Sequence, residues 1–434
     1  MRRARKGGAF ADPDAPRHNP CAVSTAPPLH VYVHFPWCLE KCPYCDFVSF
    51  KTEREAIDHE GYADAVVAEL RARASADGAF AGHRLSTIFL GGGTPSLWAP
   101  AAVRRVIDAI RARFPADLAH GDVEVTAECN PSSLDPDRAR GLVDAGVTRL
   151  SVGVQSLDGE RLKFLGRLHD APMALSAVRG AVSTGARVSA DLIFGLPGQS
   201  PEEAAEHAGA LADLGLDHLS CYALTIEPGT RFGELARRGR LPIAEEDSTC
   251  DAFLAIEAAL GSRGLAHYEV SNYARPGQEA RHNLGYWRGA DYLGLGCAAY
   301  GFVALPAVSP ASGAPRHGVR WRNDPDPARY VAAATRALPG TPRVGDGVTS
   351  TVEPLDAETL LRERIMLGLR LADGFDLDLA AGELGLDPAT AWTSSRRRAV
   401  EKLTAEGALA VDGSRLRIPP NRRLSTDGVA ARLF

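Results

Sequence analysis

The sequence predicts an α/β chain: a partial parallel barrel of six β/α units, or a doubly wound sheet of the same units, then a smaller C-terminal helical and winged-helix-like domain. Three observations carry this. Short β-branched runs recur six times between Leu29 and about Thr230, each ending in polar or glycine-rich residues. Between them lie Ala/Leu-rich segments with apolar residues at three- and four-residue spacing, the mark of amphipathic helices. Strand alternating with helix implies parallel strands.

Taken in order, residues 1–28 start basic, have no continuous apolar run, and are expected to form a disordered extension rather than a secretory leader. The barrel region, 29–300, opens with HVYVHF and the helix-like YADAVVAELRARA from Tyr62. STIFLGGGTP follows, then PAAVRRVIDAIRARF from Pro100. DVEVTAECNP, RLSVGVQSLD and RVSADLIFGLPGQ supply three more strands; PEEAAEHAGALADLG from Pro201 leads into HLSCYALTIEPG. Residues 301–354 read as a Pro/Gly-rich loop and linker, with LPAVSPASGAPRHG from Leu305 and PGTPRVGDGVTSTVEP from Pro339. The last domain, 355–434, begins with the apolar run LLRERIMLGLRLADG and continues with helix-like SSRRRAVEKLTAEG. It ends on a hairpin, LAVDGSRLRI, turning at Asp412-Gly413.

With 434 residues, 45% hydrophobic and 24% charged, the chain has an ordinary globular composition. Nothing approaches the roughly 18 consecutive apolar residues of a membrane span. A net charge of −5 does not attract polyanions. From Ala391 onward nine Lys/Arg face four Asp/Glu, a local +5, but the wing lacks interleaved aromatic residues, so no nucleic-acid partner is expected. Of eight cysteines, Cys21, Cys129, Cys221, Cys250 and Cys297 are scattered, which argues against a disulfide framework and for a reducing, cytoplasmic location.

The other three, Cys38, Cys42 and Cys45, follow the first strand. The later strands end in Gly91-Gly92-Gly93-Thr94, Glu128, Gln155, Asp191 and Tyr222. In a parallel β/α architecture all these ends share one rim, where binding and catalysis are normally built. C-x3-C-x2-C offers three soft thiolates, whereas structural zinc wants four protein ligands. A 4Fe-4S cluster held by three cysteines leaves one iron open, and Phe35, Trp37, Tyr44 and Phe47 would shield it.

This spacing at the end of a first strand resembles the radical S-adenosylmethionine (SAM) superfamily. Together YVHFPWCLEKCPYCDF, FLGGGTPSL, ECNP, SVGVQS, LGRLH, DLIFGLPGQ and EPGT resemble its group of oxygen-independent coproporphyrinogen III oxidases and heme chaperones, from Leu29 to about Leu424. The resemblance implies a radical SAM barrel with a 4Fe-4S cluster on Cys38, Cys42 and Cys45, whose open iron chelates the methionine end of SAM. It implies SAM contacts at Tyr32, Phe47, Gly92, Gly93, Thr94, Glu128, Gln155, Arg167 and Asp191. Their chemistry suits that ligand: glycines admit close backbone approach, the carboxylates match an ammonium or ribose hydroxyls, and Arg167 matches a carboxylate.

Two features separate the branches of the group. The oxidases carry a further cysteine two positions after the third ligand, where this chain has Phe47. HNLGYW is similar to the H-N-x-x-Y-W heme-binding motif of the chaperones, which implies heme contacts at His282, Asn283, Tyr286 and Trp287. Neutral imidazole is a common heme ligand, and a helix would put His282 and Tyr286 on one face. The resemblance therefore implies a chaperone that passes heme to apo-hemoproteins, membrane-bound ones among them, without coproporphyrinogen III dehydrogenase activity. The oxidase is the principal alternative and a radical SAM RNA-modifying enzyme the lesser one.

Overall fold

A computed structural model describes residues 26–75, 78–117, 121–305, 317–337, 340 and 344–434. The six runs are strands β1 (Pro28–Phe35), β2 (Arg84–Gly92), β3 (Glu124–Cys129), β4 (Arg149–Gln155), β5 (Arg187–Phe194) and β6 (His218–Ala223). They neighbour one another in that order and pair in parallel. Five of the intervening helices are α1 (His59–Arg73), α2 (Pro100–Arg113), α3 (Pro136–Asp144), α4 (Ala171–Val182) and α5 (Pro201–Ala212). Four of these starts are written locally: Asp58, Asp135, Asp170 and Ser200 each accept a hydrogen bond from a backbone N–H of the first turn. Proline in the first turn of α3, α4 and α5 gives up no intrahelical bond.

Alternation along the strands divides the sheet into two unlike faces. Val31, Val33, Val125, Ala127, Leu150 and Val152 are fully buried in the main core. Each fully buried Val or Leu contributes about 1.5–3 kcal/mol. The alternate positions are polar: Thr126 and Glu128 on β3, Arg149 and Ser151 on β4, Ser189 and Asp191 on β5, His218 and Ser220 on β6. They turn to the inside of the curled sheet, where they line a cavity or bond one another, as Ser189 does with Ser151 at 2.9 Å.

Among the described residues the sheet has twelve strands rather than six. One edge carries β7 (Ala266–Glu269) and β8 (Asn272–Ala274), antiparallel beside β6. After a short helix, α6 (Arg281–Trp287), strand β9 (Asp291–Leu295) pairs in parallel with β1. Strands β10 (Tyr300–Leu305), β11 (His317–Asn323) and β12 (Thr349–Leu355) extend that edge in antiparallel fashion. The two outermost strands, β12 and β7, do not meet, so the barrel is partial.

The linker expected over 301–354 is thereby corrected, since this stretch supplies nearly all of three strands and a helix, Pro327–Ala334, to the main body. Its glycines and prolines masked the apolar residues that decide the matter: Val303, Trp321, Tyr330 and Val348 are buried in the main core. A buried polar knot ties it to α1, where Glu69 accepts from Tyr330 Oη at 2.7 Å and Asn323 Nδ2 at 2.7 Å, and Arg73 donates to Thr349 Oγ1 at 2.6 Å. The Pro/Ser/Gly segment 306–316 and residues 1–25 of the expected N-terminal extension lie outside the described residues, and β1 already begins at Pro28.

The C-terminal unit matches its winged reading. Helices Ala357–Gly368 and Ser394–Ala405 pack with a three-stranded antiparallel sheet of Phe375–Asp376, Arg415–Arg417 and Ala410–Asp412. Gly413 takes the positive φ of 60° that its hairpin turn needs. Leu361, Ile365, Leu377, Leu403, Leu416 and Leu433 form a separate core. The unit docks beside α6: Arg370 lies over the Trp287 ring at 5.6 Å, and Ala372 N–H donates to Tyr268 O at 2.9 Å. Among the described residues no helix is long and apolar enough to cross a membrane.

Candidate cofactor cavity

The loop that leaves β1 carries Cys38, Cys42 and Cys45 and is pinned at several points. Phe50 N–H donates to Pro36 O at 2.8 Å, Thr52 N–H to Cys38 O at 2.9 Å, and Cys45 N–H to Cys42 O at 3.1 Å. Lys41 Nζ donates to Phe47 O at 3.1 Å, and His34 Nε2 lies 2.8 Å from Val48 O. The loop rests on the end of β2, and this is where the glycines of GGGTP are needed. Gly92 has φ 104°, and a Cβ there would lie 2.4 Å from the His34 ring; one on Gly93 would lie 2.7 Å from Trp37 O.

Loop and strand ends together enclose a cavity of about 490 Å³, within the range usual for small-molecule sites. Cys38, Cys42, Cys45, Phe47, Gly92, Gly93, Thr94, Glu128, Gln155, Arg167 and Asp191 all line it, as does Asn283. Tyr32 is not on its wall; the hydroxyl instead meets His34 Nδ1 at 2.9 Å. Tyr222 lines the cavity and is 40% exposed, at the open end with Phe47 at 60%.

The thiols suit a cluster. Burial pushes Cys45 up to about 11 and raises Cys38, so both are protonated at neutral pH until a metal displaces the proton. Thr94 Oγ1 donates to Cys38 Sγ at 3.3 Å and Arg167 Nη1 to Cys42 Sγ at 3.3 Å, contacts that stabilise thiolate. Three thiols from one short loop facing the cavity are the donor set of a polynuclear group, since a structural zinc takes four protein ligands.

Above the floor the wall is acidic. Glu128 accepts from Gly92 N–H at 3.1 Å, and burial, helped by the nearby charge of Asp191, pushes its carboxyl up to about 7. Asp191 accepts from Ser151 Oγ at 3.2 Å and is likewise raised by burial. Two carboxylates facing a cavity favour a cationic ligand, which SAM is. Gln155 sits at a register shift in β4 with φ 68°, a conformation costing a non-glycine residue about 1–3 kcal/mol, and its side chain reaches the cavity from there.

The heme-motif residues do not come together in one open site. Of the four, only Asn283 is on the cavity wall. His282 is 1% exposed, with Nδ1 2.7 Å from Thr87 Oγ1 and Nε2 3.1 Å from Tyr286 Oη, so both ring nitrogens are engaged. Its ring stacks on Phe89 at 4.9 Å, and its backbone N–H donates to Glu124 at 3.2 Å. Tyr286 and His282 do share a helix face, as i, i+4 spacing requires, but that face closes the barrel floor. Trp287 meets Arg370 of the C-terminal unit. The sequence reading missed Thr126, Arg149, Ser151, His218 and Ser220, which also line the cavity. Their signal was present, as a polar residue at every second position of strands whose other face is wholly apolar.

A parallel partial barrel with three thiols on the loop after its first strand defines a class of protein, and residues 32–211 match the Radical SAM superfamily. Residues 355–424 match the HemN C-terminal domain. The chain is 44% identical over 282 residues to the heme chaperone HemW of Escherichia coli (strain K12), covering 64% of this chain and 71% of that one. It is 33% identical over 412 residues to the heme chaperone HemW of Mycobacterium tuberculosis (strain ATCC 25618 / H37Rv), covering 94% and 95%. The chain belongs to the HemW family. Among solved structures, coproporphyrinogen III oxidase (HemN) from Escherichia coli superposes with a TM-score of 0.73 over 95% of this chain and 91% of that one; at 22% identity the likeness is one of fold.

Proposed function

We propose that this chain is a cytoplasmic heme chaperone, which binds heme and hands it to apo-hemoproteins, membrane-bound ones among them. One observation carries the reading: identity of 33% to a relative named as a heme chaperone extends over 94% of the chain. Phe47, standing where the oxidases have a further cysteine, supports it against the oxidase alternative.

In this reading Cys38, Cys42 and Cys45 hold a 4Fe-4S cluster, and the acidic wall with Gln155 holds SAM. Cluster and SAM, when bound, supply one-electron cleavage chemistry. The chain's own residues do the rest: Thr94 and Arg167 stabilise the thiolates, Glu128 and Asp191 receive a cation, and Phe47 stands at the mouth. For His282 to ligate heme iron through a ring nitrogen it must give up Thr87 or Tyr286, so heme binding by this residue requires a rearrangement of the side chains around α6.

The test is anaerobic reconstitution followed by heme titration and a porphyrinogen assay on one preparation. Heme should bind with a Soret shift that is lost or altered in His282→Ala, and coproporphyrinogen III should not be converted to protoporphyrinogen with SAM and a reductant. Multiple-turnover decarboxylation would overturn the chaperone reading in favour of the oxidase. An unchanged Soret band in His282→Ala would remove His282 as the ligand.

A further inference from the structure

The heme-motif helix α6 is shut from two sides. Its inner side meets the barrel floor, where His282 is held by Thr87 and Tyr286 and stacks on Phe89. Its outer side meets the C-terminal unit, and the ties there reach both ends of the helix. Helix Ala357–Gly368 packs on α6, and its Arg364 donates to Arg288 O just past the last turn. Arg370 lies over the Trp287 ring at 5.6 Å. Tyr286, whose hydroxyl occupies His282 Nε2, meets Tyr292 edge-on at 4.8 Å, and Tyr292 packs against the C-terminal core. At the start of α6, Ala280 N–H donates to Tyr268 Oη at 3.1 Å, while Tyr268 O accepts from Ala372 N–H of the C-terminal unit at 2.9 Å.

A helix of seven residues does not hold itself in place, because nucleation costs more than so few hydrogen bonds return. α6 keeps its closed position through what packs on it, and the two sides are unequally made. On the inner side both ring nitrogens of His282 are matched. The outer joint is incomplete. Trp287 Nε1 and Glu269 Oε2 are sealed by protein there, and among the described residues neither makes a hydrogen bond. Arg370 and the Trp287 indole both act on the Glu269 carboxyl, and Leu371 of the C-terminal unit forms a β-bridge with Glu269, so both unmatched atoms belong to the joint. Sealed polar groups without partners cost free energy that hydration returns, which favours lifting the unit. Farther out the unit is held by partly exposed ion pairs, Glu363 with Arg320 at 2.5 Å and Arg423 with Glu257 of helix Glu246–Gly261, and such pairs are worth little.

We propose that the C-terminal unit is an autoinhibitory clasp on the heme motif: docked, it holds α6 shut over His282, and lifting it frees the helix and with it the imidazole. Phe302 of β10 and Leu355 at the end of β12 are buried in the C-terminal core, which makes that edge the pivot and the α6 joint the side that opens. The role of the clasp in heme uptake rests on the heme-chaperone reading, and it supplies a route by which a histidine 1% exposed reaches iron. Where only the open state is competent, apparent affinity falls by the fraction of molecules that are open. Loosening the clasp therefore speeds and tightens heme uptake, the opposite of what loss of a binding surface does.

The experiment uses the reconstituted full chain and two readouts: amide hydrogen exchange at Ala372 and across residues 281–287, and the stopped-flow rate of heme uptake. Glu257→Arg sets two cations against each other at an ion pair outside α6. Exchange at Ala372 should rise, and both α6 exchange and heme uptake should become about fivefold faster. Adding Arg423→Glu, which restores the pair with its charges swapped, should return all three to wild type. Arg364→Ala with Arg370→Ala cuts the ties at the end of α6 directly and decides the matter if charge reversal leaves Ala372 unmoved or the chain unfolded; unchanged α6 exchange in that protein overturns the clasp. A loosened Ala372 with α6 exchange as in wild type overturns it too. So does slower heme uptake in a loosened protein, which would make the C-terminal unit part of the heme site. Heme uptake that His282→Ala leaves unaltered, or no heme uptake by any variant, removes the ligand reading instead, and α6 exchange then decides the clasp by itself.

Discussion

The rim and the floor of this barrel both carry polar groups but manage them differently. On the rim, Cys38, Cys42, Cys45, Glu128 and Asp191 face an open cavity with their charge or ligating capacity unspent, and burial raises Cys38, Cys45 and both carboxyls above their ordinary values. On the floor, Glu124 gathers Arg187 at 2.8 Å and the His282 N–H at 3.2 Å, with Arg149 and Arg281 each at 4.0 Å. The rim is incomplete without a ligand, whereas most of the floor is complete as folded. Binding and stability should therefore separate along the height of the barrel.

The rim gives the sharpest break. Three thiols leave no spare ligand, so Cys42→Ala should abolish stable cluster reconstitution altogether, while Cys129→Ala and Cys250→Ala should leave iron and sulfide content at the wild-type level. Because the loop contributes little to the main core, the melting curve of the metal-free Cys42→Ala protein should change by less than about 1 kcal/mol. Equal iron in Cys42→Ala and wild type would remove the cluster assignment.

The floor should respond in the opposite sense. Glu124 is 2% exposed, and Glu124→Ala removes the carboxylate that pairs with the half-buried Arg187 and lies 4.0 Å from the buried Arg149, a loss of about 3 kcal/mol, the low end for a broken buried pair. Urea denaturation should show that loss, and the fraction that remains folded should still take up a full cluster. A Glu124→Ala protein of wild-type stability would mean that the floor is no more self-sufficient than the rim.

The same contrast explains what could be read from the sequence. The rim was legible because each of its residues ends a strand within a short contiguous motif: CLEKCPYC, GGGTP, ECNP, GVQS and DLIFG each declare a residue and its place together. The floor was not, because its groups are single inward positions on strands far apart in the chain, Thr87, Glu124, Arg149, Arg187 and His218, closed by a helix that starts only at Arg281. It was the resemblance of HNLGYW to a heme-binding motif, not residue type, that suggested His282 was free for iron; the partners that occupy its ring, Thr87 and Tyr286, became visible only when β2 and α6 met. The six parallel strands were likewise local, but their extension by β9 to β12 was hidden by glycine and proline content that outweighed the apolar alternation around Trp321.

The smallest expected effect tests whether the rim carboxyls are as unspent as the comparison holds. Glu128 titrates at about 7 in the folded chain against an ordinary value of 4.5, with burial the chief cause and Asp191 the second. A raised carboxyl keeps its proton longer in the folded than in the unfolded state, so its contribution to stability declines as pH rises from about 4.5 to 7. A cationic ligand selects the ionised form and works against that trend. About one carboxyl in eleven is ionised at pH 6 and about ten in eleven at pH 8, so the Glu128 share of SAM affinity should rise about tenfold over that interval. Calorimetry at constant ionic strength on wild type and Glu128→Gln isolates this share, because titration of the SAM amino group is common to both and cancels in the ratio of affinities. The ratio should grow about tenfold from pH 6 to pH 8. A ratio that stays flat would return Glu128 to the structural task of accepting the Gly92 N–H, and would place the rim's binding charge on Asp191 alone.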